Sequence, residues 1–150
     1  MTTIAWDGIT LAADTRSVCE CTPIRVSKLF RIGHLVYAGV GNLAECHVIA
    51  AWLAAGAPPS DRPRCEDDGR CGLLLDLRTG EASRLIGKAQ VIQIPILEPF
   101  EAMGSGSQFA LAAMALGKTA VEAVKFAMRF DVFTGGPVES VRVKKPKKRR

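Results

Sequence analysis

The sequence predicts an α+β fold with helices layered on sheets. Short runs rich in branched and aromatic residues end at glycine-containing turns, as strands do. Three other segments show helix caps or helical periodicity. The order is strands, helix, strands, two helices and a last strand, without the strict alternation that is typical of a doubly wound sheet.

The first seventy residues predict two hairpins and one helix. The hairpin strands are expected over residues 3–6, 10–14, 25–32 and 35–39. Gly33 follows the third of these strands and suits a two-residue turn, because glycine accepts a positive φ. Asn42 can cap a helix, with Glu45 three residues later as in a capping box. That helix should end before the loop 57–70, which is rich in Pro, Arg and Asp.

The second half of the chain predicts more strands and two helices. The strands are expected over residues 71–76, 81–86, 90–94, 100–103 and 138–143. Residues 107–116 have almost no polar side chain after the first turn, which predicts a helix buried on most sides. Thr119 and Glu122 form a second capping box, which begins an amphipathic helix.

Length and charge limit the class of protein. A chain of 150 residues predicts a single domain, assigned to residues 1–143, with residues 144–150 as a basic, disordered tail. The tail holds six of the 20 basic residues, so residues 1–143 carry 14 basic against 15 acidic side chains. Nucleic acid is therefore not the expected partner, although such a tail can bind phosphates. With neither a long apolar run nor a secretory signal, a cytoplasmic protein outside the membrane is expected.

Cysteine and histidine predict no metal site. The five cysteines form an odd set without paired two-residue spacing, and there are two histidines. We therefore expect free thiols, with no disulfide framework, metal or cofactor. Cys46 and His47 are the one adjacent pair that suggests a thiol nucleophile. Neighbours on a helix point about 100° apart, so packing and surface roles are expected for this pair.

Thr2 is a candidate nucleophile. Aminopeptidases remove an initiator methionine when the next side chain is small, which would make Thr2 the first residue. Its hydroxyl and its free α-amine would then lie on one residue and act as nucleophile and base without a histidine. An α-amine titrates near ~8, close to the working pH of a general base.

Six segments follow one another in the order of one known family. They are residues 2–5 (Thr-Thr-Ile-Ala), 11–16 (Leu-Ala-Ala-Asp-Thr-Arg), 27–29 (Ser-Lys-Leu), 38–42 (Ala-Gly-Val-Gly-Asn), 103–107 (Met-Gly-Ser-Gly-Ser) and 131–136 (Asp-Val-Phe-Thr-Gly-Gly). Together they resemble proteasome β subunits and their bacterial relatives, which are N-terminal nucleophile (Ntn) hydrolases. The resemblance covers most of the chain. It implies a four-layer αββα sandwich and a threonine-type endopeptidase.

The resemblance also implies roles for single residues. Thr2 would attack a peptide carbonyl and form an acyl-enzyme ester. Lys28, paired with Asp14, would lower the pKa of the hydroxyl and amine and stabilise the alkoxide. The backbone N–H of Gly41 is the expected oxyanion donor, because glycine lets a substrate approach.

Further residues would support the amine or contact the substrate. Ser105, Asp131 and Thr134 are expected to hydrogen-bond around the Thr2 amine, with Thr134 standing where the family usually has serine. Structural roles in a helix cap and a turn are compatible with this assignment. Gly39 and Thr3 are expected to bind substrate. Arg16 is expected to brace the loop beside Asp14.

Two features place the chain within the family. Only residues 57–70 separate the first helix from the next strand, so the family's second helix should be shortened or lost, which leaves any particular ATPase partner open. A start without a propeptide resembles the bacterial protease subunit HslV, whereas residues 131–136 resemble true proteasome β chains. The expected placement is a bacterial proteasome homologue distinct from both.

The resemblance implies an assembly and its partners. These are a homo-oligomer of stacked rings with six or seven subunits per ring, peptide or unfolded-protein substrates, and an unidentified ATPase unfoldase. Two alternatives stay open. One is an Ntn amidohydrolase that acts on small amides, and the other is a non-enzymatic nucleic-acid-binding or scaffold protein that acts through the tail.

Overall fold

A computed structural model describes residues 2–66 and 68–144, and within these ranges it contains eleven strands and three α-helices. The strands are β1 (Thr3–Trp6), β2 (Thr10–Ala13), β3 (Arg16–Cys19), β4 (Thr22–Arg25), β5 (Leu29–Ile32), β6 (Leu35–Gly39), β7 (Arg70–Asp76), β8 (Ala82–Ile86), β9 (Ile92–Pro95), β10 (Glu101–Gly104) and β11 (Glu139–Arg142). The helices are α1 (Leu43–Ala54), α2 (Ser107–Ala115) and α3 (Ala120–Ala127). The predicted α+β class is confirmed.

The strands form two main antiparallel sheets and one hairpin. The first sheet has four strands in the order β10-β1-β2-β11, and the second has five in the order β5-β6-β7-β8-β9. Within the part of the chain that the structure describes, strands β3 and β4 pair only with each other. Because β1 and β2 lie in the middle of the first sheet, the chain start is held by neighbours on both sides.

The two main sheets share a core. Ile4 and Trp6 of β1 lie in one apolar cluster with Val36 of β6 and Leu73 of β7. Ala5, between Ile4 and Trp6, belongs to a different cluster, because successive side chains of a strand point to opposite faces. Strand β1 is therefore buried on both faces, which explains its apolar sequence.

The helices cover the other faces of the sheets. Helices α2 and α3 pack on the first sheet through a cluster made largely of small residues: Ala5, Ala12, Ala102, Ala110, Ala113, Met114, Ala120, Ala123 and Val124. Helix α1 packs on the second sheet through Cys46, Ile49 and Leu53, against Tyr37 and Leu74 among others. Small side chains let α2 and α3 approach the sheet closely.

The helix starts follow local side-chain chemistry. The Asn42 side chain accepts hydrogen bonds from the N–H groups of the first turn of α1, at 2.8 and 3.4 Å. The capping box predicted there is wrong, because the Glu45 carboxylate accepts instead from the N–H of Glu66 at 2.9 Å. The box predicted for α3 is confirmed, since Thr119 and Glu122 make both reciprocal bonds.

One hairpin was not foreseen from the sequence. A single strand was predicted over residues 25–32, but the chain first forms the β3–β4 hairpin and pairs into the second sheet only from Leu29. Its turn residues Glu20 and Cys21 have φ of 47° and 68°. Since neither is glycine, the turn left no glycine signal in the sequence.

The predicted burial of the second helix is also wrong. In this chain Ala110, Ala113 and Met114 are the buried residues of α2. Leu116, just after the helix, is 84% exposed. The apolar composition of this helix therefore exceeds what the described part of one chain covers.

The segment after α1 is short, as predicted. Its described residues hold one turn of 3-10 helix at Pro59–Asp61 and no α-helix before β7. None of the helices within residues 2–66 and 68–144 is long and apolar enough to cross a bilayer. Apart from Lys144, the predicted basic tail lies outside the described residues, and the predicted domain limits stay a prediction.

Candidate active site

The register of the first sheet brings distant loops to Thr2. Thr3 pairs with Gly104 of β10, and Ile4 pairs with Ala13 of β2, so Thr2 lies beside the residues that follow both strands. Gly104 has φ of 103°, and a Cβ there would lie 1.8 Å from the carbonyl oxygen of Thr2. Only glycine permits this approach of the two backbones.

A buried ion pair lies next to this position. Lys28 Nζ donates to Asp14 Oδ1 at 2.7 Å and to the Arg16 carbonyl at 2.6 Å. The two charged side chains are only 6% and 0% exposed. Burial lowers the pKa of Lys28, and the hydrogen bond and charge of Asp14 offset part of that effect. Asp14 is fixed in turn by the N–H groups of Thr3 at 2.9 Å and Gly135 at 3.0 Å.

A second polar network contacts Thr2 and Thr3. Asp131 Oδ2 accepts from Ser105 Oγ at 2.6 Å and from Thr134 Oγ1 at 2.5 Å. Ser105 Oγ also lies 3.4 Å from the Thr2 carbonyl oxygen. Since Thr134 gives its proton to Asp131, the hydroxyl of Thr3 is the donor across the 2.6 Å contact with Thr134. The network therefore fixes the first two residues of the predicted mature chain.

The Asp131 carboxylate is stabilised in its charged form. Burial alone would raise its pKa, but hydrogen bonds from Ser105, Thr134 and the N–H of Phe133 outweigh burial and hold the pKa below its usual range. This carboxylate therefore contributes stability that is complete above the unfolded pKa of about 3.9 and is lost as pH falls through the lower folded pKa.

Asp131→Asn is expected to destabilise the protein at pH 7 by about 1–3 kcal/mol, because the amide group of asparagine cannot accept the same bonds. The difference from wild type should shrink as pH falls below about 4, where the wild-type carboxylate takes up its proton. Urea unfolding at pH 7 and pH 3 measures both values, with the exposed Asp61→Asn as control. If wild type and Asp131→Asn differed in free energy of unfolding by the same amount at pH 7 and pH 3, the assignment of a charged Asp131 carboxylate would be contradicted.

The Gly39–Gly41 segment leaves one N–H free. The N–H of Gly39 donates to the Lys28 carbonyl at 3.0 Å, and that of Val40 donates to Cys71 at 3.3 Å. Within residues 2–66 and 68–144, the Gly41 N–H has no hydrogen-bond acceptor, and Gly41 is exposed with φ of 89°. It is therefore available to a substrate carbonyl.

Two cavities meet at Thr2 and Gly41. One has a volume of about 40 Å³ and also contains Lys28 and Gly39, and the other has about 320 Å³ and also contains Ser105. A larger cavity of about 610 Å³ lies at the end of α1, beside Leu53 and Leu74. That cavity holds none of the predicted site residues.

The structure brings the predicted site residues together, with one change of role. Thr2, Asp14, Lys28, Gly39, Gly41, Ser105, Asp131 and Thr134 all lie at the two cavities or in the networks beside them. Thr3 was expected to bind substrate, but it is 0% exposed and its hydroxyl bonds to Thr134. It has no surface to offer a substrate, so we assign it to the support of Thr2.

The Cys46–His47 pair has the expected packing role. Cys46 is 4% exposed, and burial raises the pKa of its thiol. The His47 ring meets the edge of Phe30 with centroids 5.0 Å apart. No contact between the two side chains that would make a thiol nucleophile is found among the described residues.

Gly135 was missed as a site residue. It binds Asp14 through its N–H and accepts from the N–H groups of Thr15 and Arg16 through its carbonyl. A Cβ at Gly135 would lie 2.3 Å from the Arg16 guanidinium, and that guanidinium also bonds to the Val132 carbonyl. Arg16 therefore braces this loop, as expected. The available signal was the Gly-Gly pair that ends residues 131–136.

The fold is similar to that of solved structures. BPH of Thiobacillus denitrificans has 22% sequence identity and a TM-score of 0.67, with 97% of this chain and 99% of that chain covered. A structure of Thiobacillus denitrificans BPH in complex with epoxomicin has 21% identity and a TM-score of 0.63, covering 95% and 98%. No family model matches the sequence, and no curated protein matches it. At these identities the likeness shows a shared fold.

Proposed function

We propose that this chain is the threonine-type endopeptidase subunit of a proteasome-like ring protease, with Thr2 as the nucleophile after removal of Met1. One observation carries the proposal. Thr2 lies where two cavities meet, between the buried Lys28–Asp14 pair and the Ser105–Asp131–Thr134 network. The Thr2 nucleophile, the buried Lys28 cation and the Gly41 N–H therefore lie at the same pair of cavities.

The chemistry follows from these groups. The Thr2 hydroxyl passes its proton to the α-amine while its oxygen attacks the peptide carbonyl. The Gly41 N–H donates to the oxygen that becomes negative, which is worth about 3 kcal/mol in comparable sites. The C–N bond breaks, and the leaving amine takes the proton. Water then attacks the ester carbonyl, the bond to the Thr2 oxygen breaks, and the acyl part leaves as a carboxylic acid while Thr2 regains its hydroxyl proton.

Lys28 and Asp131 would have different roles. Lys28 lines the small cavity with Thr2 and is a buried cation, so it favours the alkoxide and the neutral α-amine. The Asp131 carboxylate orders Ser105, which lies 3.4 Å from the Thr2 carbonyl oxygen. In this proposal Asp131 and Ser105 position Thr2, and Lys28 tunes its reactivity.

The likeness to the epoxomicin complex favours the same mechanism. Epoxomicin is a peptide epoxyketone, an electrophile with two reactive carbons. An amino-terminal threonine supplies two nucleophiles on one residue, the hydroxyl and the amine. A protein with the proposed site should therefore react with this compound at Thr2.

The proposal extends to architecture and assembly. Three apolar clusters, one between the sheets and one beneath each helix layer, support a four-layer αββα sandwich in one domain over residues 1–143. The exposed Leu116 and Phe130 support burial of α2 and α3 against further copies in a homo-oligomer. The proposed assembly has stacked rings with six or seven subunits per ring. The same proposal includes a cytoplasmic location and an ATPase unfoldase. The native mass of the purified protein measures the number of subunits in the assembly.

Degradation of an unfolded protein tests the function. We expect the purified protein to cut casein at internal peptide bonds, and we expect epoxomicin to block the cutting. Deletion of residues 144–150 should leave the rate unchanged. Hydrolysis of small amides alone would support the amidohydrolase alternative. The scaffold alternative would be supported if neither the full-length chain nor the chain without residues 144–150 cleaved peptides, and only the full-length chain kept its biological function.

A further inference from the structure

The small cavity beside Thr2 has walls that are part apolar and part polar, and the polar part includes Thr2 and Lys28. Val26, Phe30 and Leu43 contribute hydrocarbon, and Cys46 contributes a buried thiol. Ser17 adds one hydroxyl. A small apolar side chain gains by leaving water where it packs against Val26, Phe30 and Leu43.

The walls are held in place by packing. The Phe30 ring stacks on Tyr37 with centroids 5.6 Å apart and also meets His47. Cys46 lies so close to Gly39 that a Cβ at Gly39 would be 2.6 Å from the thiol sulfur. The cavity can therefore enlarge little without moving core residues.

The volume sets the size of an occupant. At about 40 Å³ the cavity is far smaller than the one of about 320 Å³ on the other side of Thr2. A water-sized group needs about 10–15 Å³ on this scale, so roughly three such groups fit. A valine side chain has three carbon atoms and is close to this limit.

The charges exclude charged occupants. Of the described residues that line the cavity, Lys28 alone is charged, and its ammonium is held by Asp14 and the Arg16 carbonyl. A lysine or arginine side chain of a substrate would find no carboxylate there, and an aspartate or glutamate side chain would meet an ammonium that is already paired with Asp14. Burial of an unpaired charge is strongly unfavourable, so the cavity favours neutral side chains.

We infer that this cavity selects a short, uncharged side chain, such as that of Ala or Val, on the acyl side of the scissile bond. The inference rests on the proposed function. Gly39 lies in the small cavity, and Gly41 lies where the two cavities meet. In this inference, the residue whose carbonyl accepts from the Gly41 N–H places its side chain in the small cavity, next to Gly39. Phe30, Leu43 and Cys46 set the permitted size.

A panel of fluorogenic peptides that differ only in the residue before the dye tests the inference. We expect kcat/KM for Ala and Val to exceed that for Phe and Arg by about 10-fold or more, since even one methylene in a tight pocket is worth 10–200-fold. Leu43→Ala should raise the Phe-to-Val ratio by about 10-fold. Leu43 is 36% exposed, so its truncation spares the core, and a ratio of two substrates does not depend on the folded fraction.

The matched control is Val48→Ala, an exposed position on α1 that does not line this cavity. Its Phe-to-Val ratio should equal that of wild type. A wild-type preference for Phe or Arg, or an unchanged ratio in Leu43→Ala, would overturn the inference while peptide hydrolysis still supports the proposed function. If no peptide of the panel is cleaved and epoxomicin does not attach, both fail together.

Discussion

Replacing Thr2 with alanine is expected to reduce peptide hydrolysis by more than about 10³-fold, because alanine offers no oxygen to form the acyl ester. Thr2→Ser keeps the hydroxyl and should retain measurable activity. Alanine lacks only the hydroxyl and the methyl group of threonine, so the fold should persist. Initial rates on one fluorogenic peptide, with circular dichroism of each variant, measure the effect.

A surface threonine provides the control for this experiment. Thr79 lies in the exposed turn between β7 and β8, and Thr79→Ala should leave the rate within the error of wild type. If Thr2→Ala hydrolysed peptides at a rate close to that of wild type, another residue would be the nucleophile and the proposed mechanism would be wrong.

Lys28→Met is expected to damage both stability and activity. It removes one partner of a buried pair and leaves the Asp14 charge in a site where its side chain is 0% exposed. Removal of one partner of such a pair typically costs about 3–5 kcal/mol. Asp14 still accepts hydrogen bonds from the backbone N–H groups of Thr3, Arg16 and Gly135, which should keep the loss near the lower end. Urea unfolding at pH 7 measures it.

The same change should slow the reaction at Thr2 by about 10²-fold or more, because the buried cation no longer favours the alkoxide. The rate of epoxomicin attachment, scaled to the folded fraction, separates this loss from unfolding. Lys125→Met removes an exposed lysine of α3 and should change stability by no more than about 0.5 kcal/mol. A normal attachment rate in Lys28→Met would exclude the role proposed for Lys28.

Features set by neighbouring residues were predictable from the sequence. Asn42 and Thr119 cap their helices because a short polar side chain can reach the first N–H groups. The hairpin around Gly33 formed as expected, with φ of 58° at that glycine. In each case the interaction spans only a few residues, so the pattern alone contains the information.

Features set by distant packing were not predictable. Gly135 and Asp14 are 121 positions apart, and nothing in either local sequence requires their contact. The inward position of Thr3 depends on Thr134, 131 positions away. The exposure of Leu116 likewise depends on what covers α2, which no periodicity within the helix reveals.

The site residues were found from a resemblance, and the structure supplied their geometry. The sequence alone makes Thr2 an ordinary residue after a methionine. The fold adds two cavities that meet at Thr2 and a buried Lys28 at one of them. It also leaves Gly41, and not Gly39 or Val40, with an N–H available to a substrate.

The attachment site of epoxomicin, with the mature amino terminus, tests the central claim most directly. Intact mass and peptide mapping of the treated full-length protein give both. We predict that the chain begins at Thr2 and that one molecule of the compound is bound to that residue. A fully active protein that keeps Met1, or an adduct on one of the exposed thiols of Cys19 and Cys21, would contradict the account.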